Sequence, residues 1–168
     1  MPLFKKQLRL PSTDYVGRRT YFITLGTENR AKFFSDLSTG RWLLGKLMEI
    51  AAEFDFSLHA YCVMPDHLHF ISEGLSDTCD LVKFVDAFKQ RTAYEFSKLH
   101  RERLWQRRYY DHILRPNEAV ESGACYIWWN PVRKGLCAQP NSYPLSGSQT
   151  IDWMKTSSVP TNWKPHWK

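Results

Sequence analysis

His67 and His69 stand two residues apart in the run His67-Leu68-His69-Phe70. On a strand, residues two apart project from the same face with Cα atoms roughly 6.6 Å apart, so two imidazoles can converge on one divalent ion. Leu68 and Phe70 then point to the opposite face and anchor the strand in the core. The other reading of the pair is two hydrogen-bonded structural histidines, and a zinc hydrolase would need a third ligand and a base beside them. A second pattern is Tyr126 and Asn130, four apart and therefore on one face of a helix. Small residues at Ala119, Ser122 and Gly123 keep that face open, while Val120, Ala124 and Ile127 bury the opposite one. Tyr126 is therefore expected outside the core. A phenol with pKa near 10 attacks at neutral pH only with help from a metal or a base, and the Asn130 amide has an oxygen to offer a metal. The simpler reading makes Tyr126 a helix aromatic and Asn130 a cap, with Pro131 disfavouring helical geometry at Asn130.

The elements that must position these groups follow from periodicity. Tyr21-Phe22-Ile23-Thr24-Leu25 predicts a strand over 20–27, and apolar residues at helical spacing from Leu43 to Phe54 predict a helix over 36–54. Phe56, Leu58, Ala60, Cys62 and Met64 alternate with polar or opposite-facing residues, giving a second strand that breaks at Pro65-Asp66, where Asp66 reads as a turn residue. His67 to Ser72 forms a third strand. Leu81, Phe84, Val85, Phe88, Phe96 and Leu99 repeat at helical spacing over 78–100, a fourth strand covers 109–115, and Asn117 starts a third helix ending near Asn130. The order is β-α-β-β-α-β, then α. This is an α+β, ferredoxin-like split βαβ arrangement: a four-stranded antiparallel sheet with both helices on one face, followed by the tyrosine helix. The division reads as a domain over 1–145 and an aromatic, basic tail over 146–168.

At 168 residues with 43% hydrophobic side chains, the chain has one domain's worth of core and is not disordered. Four cysteines without Cys-x-x-Cys spacing signal neither a zinc ribbon nor a disulfide framework. The absence of a long apolar run or secretory leader gives no reason to expect a membrane partner and predicts a cytoplasmic location. The net charge of +6 is uneven. Residues 83 to 108 hold Lys83, Lys89, Arg91, Lys98, Arg101, Arg103, Arg107 and Arg108 against three acidic residues. That block suits a polyphosphate backbone, or else is a solvated helix face. Trp153, Trp163 and Trp167, interleaved with Lys155, Lys164 and Lys168, suggest base stacking by the tail or packing on its own domain.

Three ordered segments carry a resemblance: Tyr61-Cys62-Val63-Met64-Pro65-Asp66-His67-Leu68-His69, Leu104 to Arg115, and Tyr126-Ile127-Trp128-Trp129-Asn130-Pro131-Val132-Arg133-Lys134-Gly135-Leu136. Together they resemble the single-tyrosine HUH transposases, specifically the REP-associated tyrosine transposases, over residues 18–145. The resemblance implies a metal-dependent endonuclease and strand transferase that cuts single-stranded DNA near REP-like hairpins through a 5′-phosphotyrosine intermediate and rejoins it. It assigns His67, His69 and Asn130 as ligands for Mg²⁺ or Mn²⁺ and Tyr126 as the nucleophile. Arg133 and Lys134 join Lys83, Lys89, Arg91, Arg101, Arg103, Arg107 and Arg108 as expected DNA contacts, and the unit is a monomer or a dimer. Tyr109 and Tyr110 are expected to be structural, and Asp66 either stands behind a metal ligand as its partner or simply makes the turn, the turn being preferred. The competing functions are a hairpin-binding protein without turnover and a metal-dependent hydrolase of small molecules.

Overall fold

The computed structural model describes residues 10–157 and 161–165. Its principal elements are β1 (Thr20–Gly26), α1 (Leu37–Glu53), β2 (Phe56–Met64), β3 (His67–Gly74), α2 (Leu81–His100), β4 (Tyr110–Ile113), α3 (Val120–Arg133), β5 (Ser146–Gly147) and α4 (Trp153–Thr156). The strands form one antiparallel sheet in the order β4-β1-β3-β2-β5. The split βαβ arrangement is therefore present, with five strands where the periodicity predicted four. The added strand is two residues long and pairs Tyr61 with Gly147 and Cys62 with Ser146.

α1 and α2 begin where side chains take up free backbone N–H groups. Asp36 accepts from the Thr39 N–H at 2.9 Å, and its hydrogen bonds from Ser38 and Thr39 lower its pKa to about 2. Asp80 accepts from the Lys83 N–H at 3.2 Å, so α2 starts at 81 rather than 78. Both helices bury their apolar stripes on one face of the sheet, against Tyr21, Ile23, Leu25, Leu58, Leu68 and Phe70. The stripe of α2 stops at Phe96, and Leu99, expected within it, is 82% exposed on the last turn.

The opposite face carries Phe22, Ala60, Cys62, Met64, Ile71 and Tyr110 and is covered by α3. Simple alternation puts Phe56, Leu58, Ala60, Cys62 and Met64 on one side, but a register shift between Leu58 and Ala60 divides them. An extra residue in a strand reverses which face the following side chains reach, so Leu58 joins the α1/α2 core while Ala60 and Cys62 line the α3 side. His69, paired with Cys62, thereby lies on the face that α3 covers.

α3 runs from 120 to 133, not 117 to 130. Pro131 lies inside it, and it is the Ala119 position that precedes the first turn. Proline forfeits one helical hydrogen bond near the C-terminus, and the backbone there continues through other bonds, Lys134 N–H to Asn130 C=O at 3.1 Å and Leu136 N–H to Pro131 C=O at 2.9 Å. Tyr126 and Asn130 thus keep their helical stacking. The segment beyond Gly135 wraps α3. Trp128 Nε1 donates to Gly147 C=O at 3.0 Å, Trp129 Nε1 to Ser157 C=O at 2.8 Å, and Trp153 packs against Trp128. Trp167 and Lys168 lie outside the described residues.

Gly74 ends β3 where a Cβ would meet the Gly17 carbonyl oxygen and, at 2.8 Å, the Cys79 Cβ, and neither can move without shifting backbone. Gly74→Ala should lower stability by about 1–3 kcal/mol through overpacking. Thermal denaturation followed by circular dichroism measures it, and an unchanged midpoint contradicts the assigned packing.

Candidate active site

β3 presents His67 and His69 on the α3 side of the sheet, 7% and 3% exposed. Their Nε2 atoms are 3.0 Å apart. Each ring is fixed from behind through Nδ1. His67 Nδ1 meets Asp66 Oδ1 at 2.6 Å, and His69 Nδ1 meets Thr24 Oγ1 at 2.7 Å. Thr24 is 1% exposed on β1, directly across from His69 in the ladder. Asp66 is a turn residue and also the hydrogen-bond partner of a site histidine, so the two readings of it hold together. Its carbonyl accepts from the Thr27 N–H at 3.0 Å and hydroxyl at 2.9 Å, fixing the turn. Its carboxylate lies between His67 and the Arg30 Nε at 3.3 Å. The His67 hydrogen bond, opposed by burial and aided by Arg30, holds the Asp66 carboxyl below the usual carboxylate range.

α3 supplies the facing groups. Asn130, 3% exposed, brings its amide to 3.3 Å from His67 Nε2, and the Tyr126 ring lies 6.3 Å from the His69 ring. The four residues singled out from spacing, His67, His69, Tyr126 and Asn130, therefore converge on one place. Two ligands bound at right angles at about 2.1 Å from a hard cation stand roughly 3.0 Å apart, so the imidazole separation fits adjacent positions on one ion. Among the described residues no three His, Cys, Asp or Glu side chains are placed to hold one metal ion. The Asn130 amide faces the two imidazoles, and turning its side chain about its last bond exchanges its nitrogen for its oxygen.

Tyr126 is not on an open face. It is 4% exposed, enclosed by Phe22 at 6.1 Å, by Trp163 at 5.6 Å and by the Arg133 guanidinium 4.3 Å above the ring. Upstream, Gly123 lies against Ile71 of the sheet and leaves no open face, and Trp163 of the C-terminal segment meets the Tyr126 ring. Glu118 stands at the rim of this wall. It accepts from the Arg115 N–H at 2.7 Å and bonds His112 Nε2 at 3.0 Å. Burial works against its charge, but the Arg115 and His112 hydrogen bonds prevail and lower its pKa.

The basic block is less open than its composition suggests. Lys89 Nζ donates to the Gln106 and Arg107 carbonyls at 2.9 and 3.1 Å, and one Arg91 nitrogen reaches Glu53 at 2.7 Å. Arg103 faces Glu28 at 3.8 Å, Lys83 faces Asp80 at 3.9 Å, and Arg101 caps α2 in a left-handed conformation. Arg107 and Arg108 are exposed on the segment that returns past Gly26 to β4, beside the site, and Lys134 is exposed at the end of α3. Tyr109 packs in the core with Lys89 over its ring, and Tyr110 is buried 6.4 Å from Phe22.

The sequence of residues 15–127 matches the family described as Transposase IS200 like. The chain belongs to that family. The matched span contains His67, His69 and Tyr126 and stops short of Asn130. A REP-associated tyrosine transposase of Escherichia coli K12 is 26% identical over 83% of the chain and 87% of its own length. A protein of Haemophilus influenzae named for the same class is 22% identical over 89% and 90%. The fold is that of a REP-associated tyrosine transposase solved bound to a REP hairpin, with a TM-score of 0.71, 19% identity, and 98% of this chain and 94% of that one covered. A Deinococcus radiodurans structure described as a transposase aligns with a TM-score of 0.51 at 22% identity, covering 67% of this chain and 88% of its own.

The enclosure of Tyr126 makes a chemical prediction for this member of the transposase family. Tetranitromethane should nitrate Tyr94, which is 61% exposed, and leave Tyr126 unmodified. In Trp163→Ala, Tyr126 should become reactive, as read by peptide mass spectrometry. Nitration of Tyr126 at the Tyr94 rate in the unaltered chain contradicts the enclosure.

Proposed function

We propose that the chain is a metal-dependent single-stranded DNA endonuclease and strand transferase that acts beside small, REP-like hairpins with Tyr126 as nucleophile. The observation that carries this reading is the meeting of Tyr126 with two imidazoles whose Nε2 atoms are 3.0 Å apart. The family membership supports DNA cleavage, and the hairpin-bound structural relative supports the choice of DNA. No helix among the described residues is long and apolar enough to cross a membrane. Acting on DNA, the protein works in the cytoplasm. The meeting of all four site groups within one chain supports cleavage by a monomer.

His67, His69 and the Asn130 amide oxygen are the residues to hold Mg²⁺ or Mn²⁺, with Asp66 and Thr24 fixing the two rings so that Nε2 faces the site. When bound, such an ion neutralises charge on a nonbridging phosphate oxygen and favours departure of the 3′ oxygen. The Tyr126 oxygen attacks phosphorus in line and forms a P–O bond as the P–O3′ bond breaks. The products are a 5′-phosphotyrosine and a free 3′-OH, the 3′ oxygen gaining a proton. Attack by another strand's 3′-OH reverses the exchange, and one phosphoester replaces another without an external energy source. Arg133, lying over the phenol ring, favours the developing phenolate and, with Lys134, Arg107 and Arg108, meets the phosphates. Trp163 must leave the Tyr126 ring for a phosphate to reach it.

Tyr126→Phe should reduce cleavage of a single-stranded hairpin oligonucleotide to background while keeping its affinity. A covalent protein–DNA band that persists in this variant refutes the nucleophile. Asp66→Asn and Thr24→Val should each weaken Mn²⁺ binding by about 10–100-fold, as loss of groups behind a ligating histidine does. Calorimetry on the DNA-free chain measures this, and unchanged affinity overturns the positioning role. Arg107→Ala and Arg108→Ala should each shallow the log–log salt dependence of DNA binding by about 0.7. Arg91→Ala should leave the slope unchanged because Glu53 occupies its guanidinium, and an equal loss in all three variants contradicts that distinction.

A further inference from the structure

Arg30 stands behind His67, outside the basic block of residues 83 to 108. It belongs to the loop from β1 to α1, which is tied to the β2–β3 turn by several hydrogen bonds. Thr27 donates its N–H and its hydroxyl to the Asp66 carbonyl at 3.0 and 2.9 Å, and the Phe34 N–H donates to the Pro65 carbonyl at 3.0 Å. The loop is therefore fixed relative to His67. Its backbone is not relaxed. Asn29 and Arg30 take positive φ angles of 52° and 56°, a left-handed conformation that asparagine tolerates and arginine does not favour. Glycine would sit there without strain. A long cationic side chain at such a position needs another reason, and strain of this kind gathers at functional sites.

The contacts of the side chain supply one. Arg30 Nε donates to Asp66 Oδ2 at 3.3 Å, while Asp66 Oδ1 meets His67 Nδ1 at 2.6 Å. One carboxylate thus joins the guanidinium to the imidazole. Among the described residues no acceptor meets either Arg30 Nη, and the side chain is 51% exposed. Arg91, by contrast, gives both Nη groups to the two oxygens of Glu53. Asp66 also places a negative charge at the rim of a site that has to receive a polyanion, and the guanidinium beside it offsets that repulsion.

We propose that Arg30 clamps a phosphate adjoining the cleaved one, with Nε anchored on Asp66 and the Nη groups on the nonbridging oxygens. The proposal deepens the reading of the chain as a single-stranded DNA nuclease and rests on it. Because Asp66 also orients His67, one carboxylate positions both the ligand ring and the guanidinium, and so helps to set which bond of the strand lies at Tyr126. Arginine suits this task because its planar fork of donors bonds a carboxylate and a phosphate together, whereas a lysine is a point charge. The constrained loop and the Asp66 anchor hold the side chain before DNA arrives, which lowers the ordering cost of binding.

The test is equilibrium binding, in chelator, of the full chain to a dye-labelled stem-loop oligonucleotide with oligo-dT flanks, in which one linkage at a time is a neutral methylphosphonate. The stem fixes the register of the flanks. In the unaltered chain, neutralising one linkage beside the bond that is cleaved in Mn²⁺ should weaken binding about tenfold. Arg30→Gly should bind the all-phosphate probe about tenfold more weakly and lose the penalty at that linkage alone. Its melting temperature should stay level or rise, since glycine relieves the positive φ. Arg30→Lys should regain part of the affinity but show smaller penalties spread over neighbouring linkages, because one ammonium does not hold Asp66 and a phosphate in a fixed fork. An unchanged set of penalties in Arg30→Gly overturns the clamp, and a single sharp penalty kept in Arg30→Lys overturns the anchor. If Arg30→Gly loses its cooperative melting transition, Arg30→Gln keeps a side chain there without the charge. It should lose the same penalty at the same linkage, and a retained penalty refutes the proposal. Because binding is read without cleavage, unchanged penalties with Tyr126 adduct formation intact refute the clamp alone. The expected pattern without any adduct in Mn²⁺ refutes the nuclease reading instead.

Discussion

Two imidazoles held edge to edge, with their Nε2 atoms 3.0 Å apart, set the demand that the rest of the structure meets. Placing two such rings together inside a protein requires each to be tied on its far side, since a buried ring nitrogen without a partner is destabilising. The ties come from different parts of the chain: Thr24 from β1, the neighbouring strand, and Asp66 from the β2–β3 turn. β3 therefore has to be internal in the sheet, with β1 on one side and β2 on the other. The other face of β3 contributes Leu68 and Phe70 to the α1/α2 core, which makes the histidine strand one of the least movable elements of the molecule. Chemistry is then brought to it by α3, whose Tyr126 and Asn130 approach from across the sheet.

Much of this was legible in the sequence because periodicity records burial. The alternation through Leu68 and Phe70 marked a strand with histidines on one side, and the helical spacing of Leu43, Leu47 and Ile50, or of Phe84 and Phe88, marked faces that are buried. The four-residue step between Tyr126 and Asn130 also survived, although Pro131 argued for a break. A proline this close to a helix end removes only one hydrogen bond, and the turn through Leu136 continues the backbone pairing.

What the spacing concealed were contacts between distant segments. Thr24 belongs to the site only because strand register sets it opposite His69, and one strand's own pattern contains no register. The bulge beside His59 reverses Ala60 and Cys62 relative to Leu58 without any glycine or proline to announce it. Tyr126 was expected to be open because its helical neighbours are small, yet small neighbours equally allow close packing: Gly123 lies against Ile71 of the sheet, and Trp163 covers the Tyr126 ring. Charge was similarly ambiguous. The block from 83 to 108 is basic in composition, but Glu28, Glu53 and Asp80 face three of its cations and backbone carbonyls hold Lys89, leaving Arg107 and Arg108 exposed next to the site.

The central claim is that His67 and His69 are held together to receive one ion opposite Tyr126. Anomalous diffraction at the manganese edge from crystals soaked in Mn²⁺ tests it most directly. The account predicts one strong peak shared by the Nε2 atoms of His67 and His69 and by the Asn130 side chain. Fully ordered imidazoles with no peak between them at saturating Mn²⁺, or a peak held by other residues, would contradict it.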